Sequence, residues 1–238
     1  MERCGLPASR AAAHPCAVTT DSPPVEWRRN RRARRISLRL DARSGRVVLT
    51  LPARATKAAG LQALQTHAGW IAERLRRLPA PVRLADGATV PVHGVPHRIR
   101  HLPGARGRIG GGEVVVGGGA EFVARRVADL LRREALQTLA AAAAAKAASA
   151  GLRVRRVVVK DTRSRWGSCT ADGTLMFSWR LVMAPPAVQD YVAAHEAAHL
   201  RHMNHGAEFW ALADSLSPHR HMAEAWLRAE GPGLQRVG

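Results

Sequence analysis

The chain has 238 residues, with 37 lysines and arginines against 18 acidic residues and a formal net charge of +19. This length can bury a core in one domain or two small ones, and no apolar run reaches the ~18 residues of a membrane helix. The three cysteines, Cys4, Cys16 and Cys169, are too few and too scattered for a disulfide framework. The first 25 residues lack the continuous apolar segment of a signal peptide, which indicates a reducing, cytoplasmic setting.

The N-terminal region combines a proline-rich segment with a cluster of arginines. Residues 1–25 contain four prolines and no periodicity, which predicts a disordered extension. The arginines of residues 28–35 form either a patch that binds nucleic acid or the solvent-facing side of an exposed edge strand over residues 32–40. The alternation of Ile36-Ser37-Leu38-Arg39-Leu40 favours the strand. The positive charge is equally compatible with a polyanionic partner and with a solvated surface.

Residues 26–119 are predicted to form a β-rich subdomain. A turn at residues 41–45 joins the first strand to a second over residues 46–51, and a helix is predicted over residues 55–78. Residues 82–102 suggest short strands joined by turns. Residues 104–119 contain eight glycines and are predicted to be a linker with one short strand at Val114-Val115-Val116.

A periodic set of histidines lies in this β-rich part. His93, His97 and His101 recur every four residues, which would align them on a helix. Three prolines in and beside the same stretch oppose a helix. We therefore predict strand or turn residues here and no second metal site.

Residues 120–230 are predicted to form a helical and metal-binding subdomain, followed by a tail over residues 231–238. A helix over residues 121–149, ended by Gly151, opens it. The remaining predicted elements are a strand over 153–160, a hairpin with strands over 163–169 and 175–181, a helix from Pro185-Pro186 to about Met203, and closing helices over 207–216 and 220–229.

The strongest chemical signal is the motif His195-Glu196-Ala197-Ala198-His199. Residues four apart share one face of a helix, so both imidazoles can bind one metal ion, and zinc prefers such ligands. Glu196 is about 100° around the helix from His195, beside the metal. A carboxylate there can accept the proton of a water molecule whose pKa zinc has lowered to about 7.

A third ligand must come from beyond the first turns of this helix. Asn204 favours a helix end, and the turn could fold His205 back toward the metal. Three protein ligands leave one position for water, as catalysis requires. His202 points about 60–70° away from the metal direction, which favours a solvated or supporting residue.

Further motifs on both sides of this site resemble those of the YgjP-like metallopeptidases, relatives of the SprT-like zincins. In the C-terminal half these are Arg165-Trp166-Gly167-Ser168-Cys169, Trp179-Arg180-Leu181, Met183-Ala184-Pro185-Pro186, Tyr191-Val192, Asn204-His205 and Phe209-Trp210. In the N-terminal half they are Arg34-Arg35-Ile36-Ser37-Leu38-Arg39, Trp70-Ile71, Asp86-Gly87 and Pro91-Val92-His93-Gly94. The resemblance implies one Zn²⁺ per chain on His195, His199 and His205, with Glu196 as the catalytic residue.

The residues that contact substrate are less well defined. Arg165, Trp166 and Tyr191 are candidates, although core packing is the preferred interpretation of Trp166 and Tyr191. Arg165 and His219 are the candidates for a group that stabilises the oxyanion. In zincins an edge strand beside the metal helix pairs with the substrate, and the resemblance makes residues 163–169 or 175–181 that strand. Cys169 is predicted to be a buried thiol.

The sequence thus predicts an α+β fold, a β-rich subdomain followed by a zincin-like one. The leading hypothesis is a zinc-dependent metallopeptidase acting on polypeptides. The first alternative is a metal-dependent pyrophosphohydrolase of nucleoside triphosphates. The second is a SprT-like protease acting on proteins bound to nucleic acid, with salt-sensitive DNA binding. The oligomeric state stays open, and no membrane partner is expected.

Overall fold

The computed structural model describes residues 24–238, and its first sheet contains three strands. They are β1 (Val25–Asn30), β2 (Ser37–Asp41) and β3 (Arg46–Pro52). The order is β1-β3-β2, with β3 antiparallel to β2 and parallel to β1, so the predicted hairpin is confirmed. The prediction of disorder for residues 1–25 lies outside the described residues except for Pro24 and Val25.

Two details of this sheet differ from the sequence prediction. The strand predicted over residues 32–40 begins only at Ser37, because residues 31–36 form turns and bends. Strand β1 was not predicted, and it contains Arg28 and Arg29 of the arginine cluster. Arg28 pairs with Glu26 at 2.6 Å, and Arg29 donates to backbone carbonyls of residues 52, 53 and 55.

The helix predicted over residues 55–78 is divided in two. Helix α1 covers Lys57–Thr66 and α2 covers Ala68–Arg76, with His67 between them outside helical geometry. The hydroxyl of Thr56 accepts a hydrogen bond from the amide of Ala59 at 3.1 Å and caps α1. Helix α1 packs closely on the first sheet through Gly60, where a β-carbon would lie 2.6 Å from the Trp27 ring.

A four-stranded sheet follows, with the order β4-β5-β7-β6. Its strands are β4 (Thr89–Val92), β5 (Val95–His101), β6 (Arg108–Gly110) and β7 (Glu113–Val116). His93 and Gly94 join β4 to β5 with positive φ angles of 51° and 78°, as a tight hairpin turn requires. The short valine strand is confirmed, but the glycine-rich segment is more than a linker because it supplies two paired strands.

Helix α3 (Val123–Ser149) confirms the predicted long helix. Gly151 follows its end with a φ of 68°, a conformation that glycine adopts without strain. One face of α3 is buried in a hydrophobic core to which the four-stranded sheet contributes Val90 and Ile99 and the C-terminal half contributes Phe177 and Leu181. This core is continuous across residue 119, where the sequence predicts a subdomain boundary, and the boundaries themselves stay a prediction.

The third sheet has the order β8-β10-β9. Its strands are β8 (Arg156–Lys160), β9 (Gly167–Cys169) and β10 (Thr174–Ser178). Strand β10 is shorter than predicted, since residues from Trp179 to Met183 form a 3₁₀ helix. Because β10 is central, with both edges paired, residues 175–181 are not the edge strand that a substrate could extend.

Four helices complete the described chain. They are α4 (Pro186–Ala198), α5 (Ala207–Leu216), α6 (Arg220–Ala229) and α7 (Gly231–Leu234). The first of them, α4, packs against β9 of the third sheet. Helix α4 ends earlier than the predicted Met203, because the backbone tightens into a turn after His199. The predicted tail is packed, since Val237 is buried, pairs with Val82 and accepts hydrogen bonds from Arg180.

The described part of the chain is thus a mixed α and β fold with three sheets and seven α-helices. Within residues 24–238, no helix has the length and apolar character needed to cross a lipid bilayer.

Candidate metal centre

Three histidines converge where helix α4 ends and the chain turns toward α5. His195 is in the last turn of α4, His199 is the C-cap residue, and His205 lies just before α5. One ring nitrogen from each lies within 4.8 Å of the others, and the Nε2 atoms of His195 and His205 are 3.1 Å apart. No other such group of His, Cys, Asp or Glu occurs between residues 24 and 238.

The protonation of His195 and the tautomer of His199 suit a metal. Burial, together with the neighbouring charges of His199 and His205, lowers the pKa of His195 to about 4. Burial also lowers the pKa of His199. The Nδ1 of His199 donates to the carbonyl oxygen of His202 at 2.9 Å, which leaves the lone pair on Nε2. Neutral imidazoles with free lone pairs are the form that binds a divalent cation.

Aromatic side chains hold the rings from the α5 side. Phe209 is fully buried, and its ring centroid lies 4.4 Å from that of His199 and 5.0 Å from that of His195. Trp210 stacks on His205 at 5.5 Å, and the Arg220 guanidinium lies 3.5 Å from the Trp210 ring centroid. Aromatic rings therefore pack against all three imidazoles.

Glu196 lies beside the three histidines and is 5% exposed. Its Oε2 atom is buried and has no hydrogen-bond partner within the described residues. Burial raises the pKa of Glu196 to about 8, against the opposing effect of the positive charge of Arg165. Gly167 of strand β9 faces this carboxylate, and a β-carbon there would lie 2.4 Å from Oε1. Strand β9 thus fits over Glu196 only because residue 167 has no side chain.

A cleft of about 370 Å³ opens from His195 and Glu196 to the surface. Its lining residues are Trp166, Gly167, Tyr191, Val192, His195, Glu196, Glu224, Leu227 and Arg228. Strand β9 forms one wall, and its outer edge has no strand partner in the part of the chain that the structure describes. The edge strand predicted beside the metal helix is therefore β9 rather than β10.

The other candidate residues fall in different environments. Trp166 lines the cleft and also packs against the core. Tyr191 lines the cleft too, but its hydroxyl donates to Oε1 of Glu224 at 2.7 Å. Arg165 is exposed and near enough to influence Glu196, whereas His219 is not among the residues lining the cleft. The Cys169 thiol, half-buried in β9, has its pKa raised to about 11 by burial and by the charges of Glu196 and Asp172.

Three contributors to the site were not predicted from the sequence. They are the carbonyl oxygen of His202, the space left by Gly167, and the pair of Arg220 and Glu224 on α6. Arg220 contacts the ring of Trp210, and Glu224 accepts the hydrogen bond of Tyr191. The i,i+4 spacing of Arg220 and Glu224 was a visible signal of an ion pair, and their atoms are 3.5 Å apart. The other two depend on chain geometry that no local pattern shows.

Comparison with known proteins agrees with the motifs. The model of the YgjP-like metallopeptidase domain matches residues 34–230, and the chain therefore belongs to the YgjP-like family. At the level of the family it is a metal-dependent peptidase, and so a hydrolase. Searches of curated proteins and of solved structures found no significant match.

Proposed function

We propose that this protein is a zinc-dependent metallopeptidase of the zincin type, with His195, His199 and His205 as ligands and Glu196 as the catalytic residue. The observation that supports the proposal is the convergence of three imidazole nitrogens within 4.8 Å of one another, beside a buried carboxylate. Three nitrogen ligands suit zinc in tetrahedral geometry and leave one position for water or substrate. When bound, the ion would lower the pKa of water and polarise the scissile carbonyl.

The chain's own residues would perform the proton transfers and hold the peptide. The ionised form of Glu196 would be favoured, against the effect of its burial, by a divalent cation held by the three histidines. The carboxylate could then accept a proton from the attacking water and return it to the leaving amine. Burial of Glu196 under Gly167 keeps it in a defined position for both transfers. The free edge of β9 offers backbone groups to an extended polypeptide, and pairing of this kind tolerates many sequences.

Arg165 is the better of the two oxyanion candidates. It precedes the cleft residues Trp166 and Gly167, and its positive charge influences Glu196. His219 is the N-cap residue of α6 and is not among the residues that line the cleft. We assign to Arg165 the stabilisation of negative charge on the carbonyl oxygen.

The test compares wild type with Glu196→Gln, using a denatured protein substrate. Wild-type protein should contain about one zinc ion per chain and cleave the substrate. The variant should keep the zinc and lose activity by about 10²–10⁴-fold, the usual contribution of a general base. Since any contaminating protease would be present in both preparations, Glu196→Gln is also the purity control. Retained hydrolysis in the variant would refute the mechanism.

A second candidate keeps the metal site and changes the substrate. Arg228 lines the cleft, and an arginine there could bind the phosphates of a nucleoside triphosphate. Phosphate and pyrophosphate release from nucleoside triphosphates, measured with the same two proteins, separates this pyrophosphohydrolase from the peptidase. Activity on nucleotides without cleavage of protein would favour the alternative.

Nucleic-acid binding by residues 28–35 stays a prediction. Arg28 and Arg29 have intramolecular partners, whereas Arg31, Arg32, Arg34 and Arg35 are exposed. If these arginines bind DNA, the affinity should fall steeply between low and physiological salt, because counterions are released on binding. An affinity that barely changes would exclude the nucleic-acid-associated protease.

A further inference from the structure

A long groove adjoins the cleft on the side of α6. Arg228 lines both the cleft and this groove, which has a volume of about 860 Å³ between β2 and α2 on one side and α6 on the other. A further hollow of about 520 Å³ shares Leu38 and Trp70 with the groove. Each depression thus shares lining residues with the next, and we take them as one path along which a chain in the cleft can extend.

The side chains that line the groove are of two kinds, an apolar set that we call the floor and a basic set that we call the rim. Apolar side chains from both halves of the protein form the floor, namely Leu38, Leu40, Ala42, Leu78, Ala225, Ala229 and Pro232. Four arginines surround it, namely Arg39, Arg74, Arg77 and Arg228. The ring of Trp70 is 42% exposed at one side, with the Arg74 guanidinium 5.8 Å from its centroid.

The charge of this rim is largely uncompensated. Glu73 is the one carboxylate among the lining residues, and it pairs with Arg76 and, at 2.5 Å, with Arg77. Arg39, Arg74 and Arg228 have no carboxylate partner within residues 24–238. A ligand that brings both carboxylates and aliphatic side chains would therefore match the rim and the floor together.

We propose that this groove binds one flank of the polypeptide substrate and selects flanks that combine acidic and aliphatic residues. The proposal rests on the peptidase function proposed above, because the groove shares Arg228 with the cleft that contains Glu196. A nucleic acid also carries negative charge, but it binds single strands best on several aromatic platforms, and Trp70 is the one aromatic residue that lines the groove. The aliphatic floor favours a polypeptide.

The test measures binding separately from hydrolysis. Full-length Glu196→Gln protein is titrated against fluorescent twelve-residue peptides, and anisotropy gives the affinities. One peptide has a flank of alternating Glu and Leu, the second has Gln in place of Glu, and the third has Lys. The Glu peptide should bind about tenfold more tightly than the Gln peptide at low salt, and the difference should shrink as salt is added.

Charge reversal in the groove should reverse the preference. Arg39→Glu with Arg74→Glu, in the same background, should weaken binding of the Glu peptide by about threefold to tenfold or more and strengthen binding of the Lys peptide. Arg125→Glu with Arg133→Glu makes the same charge change on α3, outside the groove, and should preserve the preference. If the groove variant unfolds, Gln substitutions at Arg39 and Arg74 remove the charge instead, and they should abolish the preference for the Glu peptide over the Gln peptide without creating one for the Lys peptide.

Several outcomes would overturn the proposal. They are equal affinity for the Glu and Gln peptides, equal effects of the two double variants, and tighter competing binding of a twelve-nucleotide oligomer. Self-association that the groove variant abolishes would assign the surface to a second copy of the chain. Wild-type cleavage of Glu and Gln peptides at equal kcat/KM would refute the groove and leave the peptidase intact. Selective binding of the Glu peptide without cleavage by wild type would refute the peptidase function and leave the groove proposal intact.

Discussion

Gly167 and Glu196 are in such close contact that a β-carbon on Gly167 would lie 2.4 Å from the Oε1 atom of Glu196. Real β-carbons do not approach an oxygen so closely, so any side chain at residue 167 must displace the carboxylate or the strand. Glu196 is buried, and its neighbour on this side is backbone. Strand β9 and helix α4 therefore determine together where the proposed proton acceptor lies.

The first prediction concerns Gly167→Ala. The added methyl should move Glu196, and kcat/KM on a denatured protein should fall by about 10²-fold or more, because a displacement of about 1 Å has effects of this size. Zinc content should stay near the wild-type value, since the three histidines are not touched. Gly69→Ala in α2 is the matched control, because a β-carbon there meets nothing within 4 Å. Full activity in Gly167→Ala would contradict the role assigned to Glu196.

The second prediction separates the proposed third ligand from its neighbour. His205→Ala removes a nitrogen from the cluster, so the zinc content of purified protein should fall well below one per chain. His202→Ala should retain the metal, because His202 contributes its carbonyl oxygen to His199 and the substitution keeps that atom. Metal analysis of both variants after dialysis decides the point. Loss of zinc in His202→Ala but not in His205→Ala would identify His202, instead of His205, as the third ligand.

The third prediction distinguishes structure from catalysis at Tyr191. Its hydroxyl donates to Glu224, so Tyr191→Phe should lower the free energy of unfolding by about 0.5–1.5 kcal/mol, the usual value of one hydrogen bond. Activity should change by less than about fivefold. A group that stabilised the oxyanion would cost about 10²–10³-fold in kcat on removal. Urea denaturation measures the stability, and steady-state kinetics measure the activity. Glu224→Gln alters the acceptor of the same hydrogen bond and serves as the second variant.

The C-terminal segment is held by a buried arginine whose partner titrates. Arg180 is 1% exposed, pairs with Asp161 and donates to the carbonyl oxygen of Val237 at 2.9 Å. Burial alone would raise the pKa of Asp161, but the hydrogen bonds and charges of Arg180 and Arg43 lower it below its usual value. The folded state therefore favours the ionised carboxylate.

The fourth prediction is the resulting pH dependence. A lowered folded-state pKa means that the pair stabilises the protein above the unfolded pKa of about 3.9, and this stabilisation is lost as pH falls through the folded value. Because the Asp161 side chain is 36% exposed, solvent screens part of the interaction. Asp161→Asn should cost about 1 kcal/mol at pH 7 and progressively less below pH ~4. Asp129→Asn, in an exposed helical pair, should cost about 0.5 kcal/mol or less. A penalty for Asp161→Asn that is independent of pH would contradict this account.

Local patterns predicted the elements whose signal lies within a few residues. The long helix α3, the hairpins at residues 41–45 and 172–173, and the two closing helices all follow from periodicity, turn residues and caps. Errors occurred where distant contacts decide the conformation. The unpredicted strand β1 is one example, because it forms by parallel pairing with β3, and β2 lies between the two strands in the sequence.

The sequence by itself determined the family and the choice of His195, Glu196, His199 and His205 as candidate site residues. It also placed His195 and His199 one helical turn apart, because motif spacing along a helix is a local property. Only the tertiary structure decided that β9 rather than β10 presents a free edge, that Gly167 leaves room for Glu196, and that Arg228 lines both the cleft and the groove beside α6. Each of these depends on which distant segments pack together, and burial in a shared core selects that arrangement without leaving a signal in any short stretch of residues.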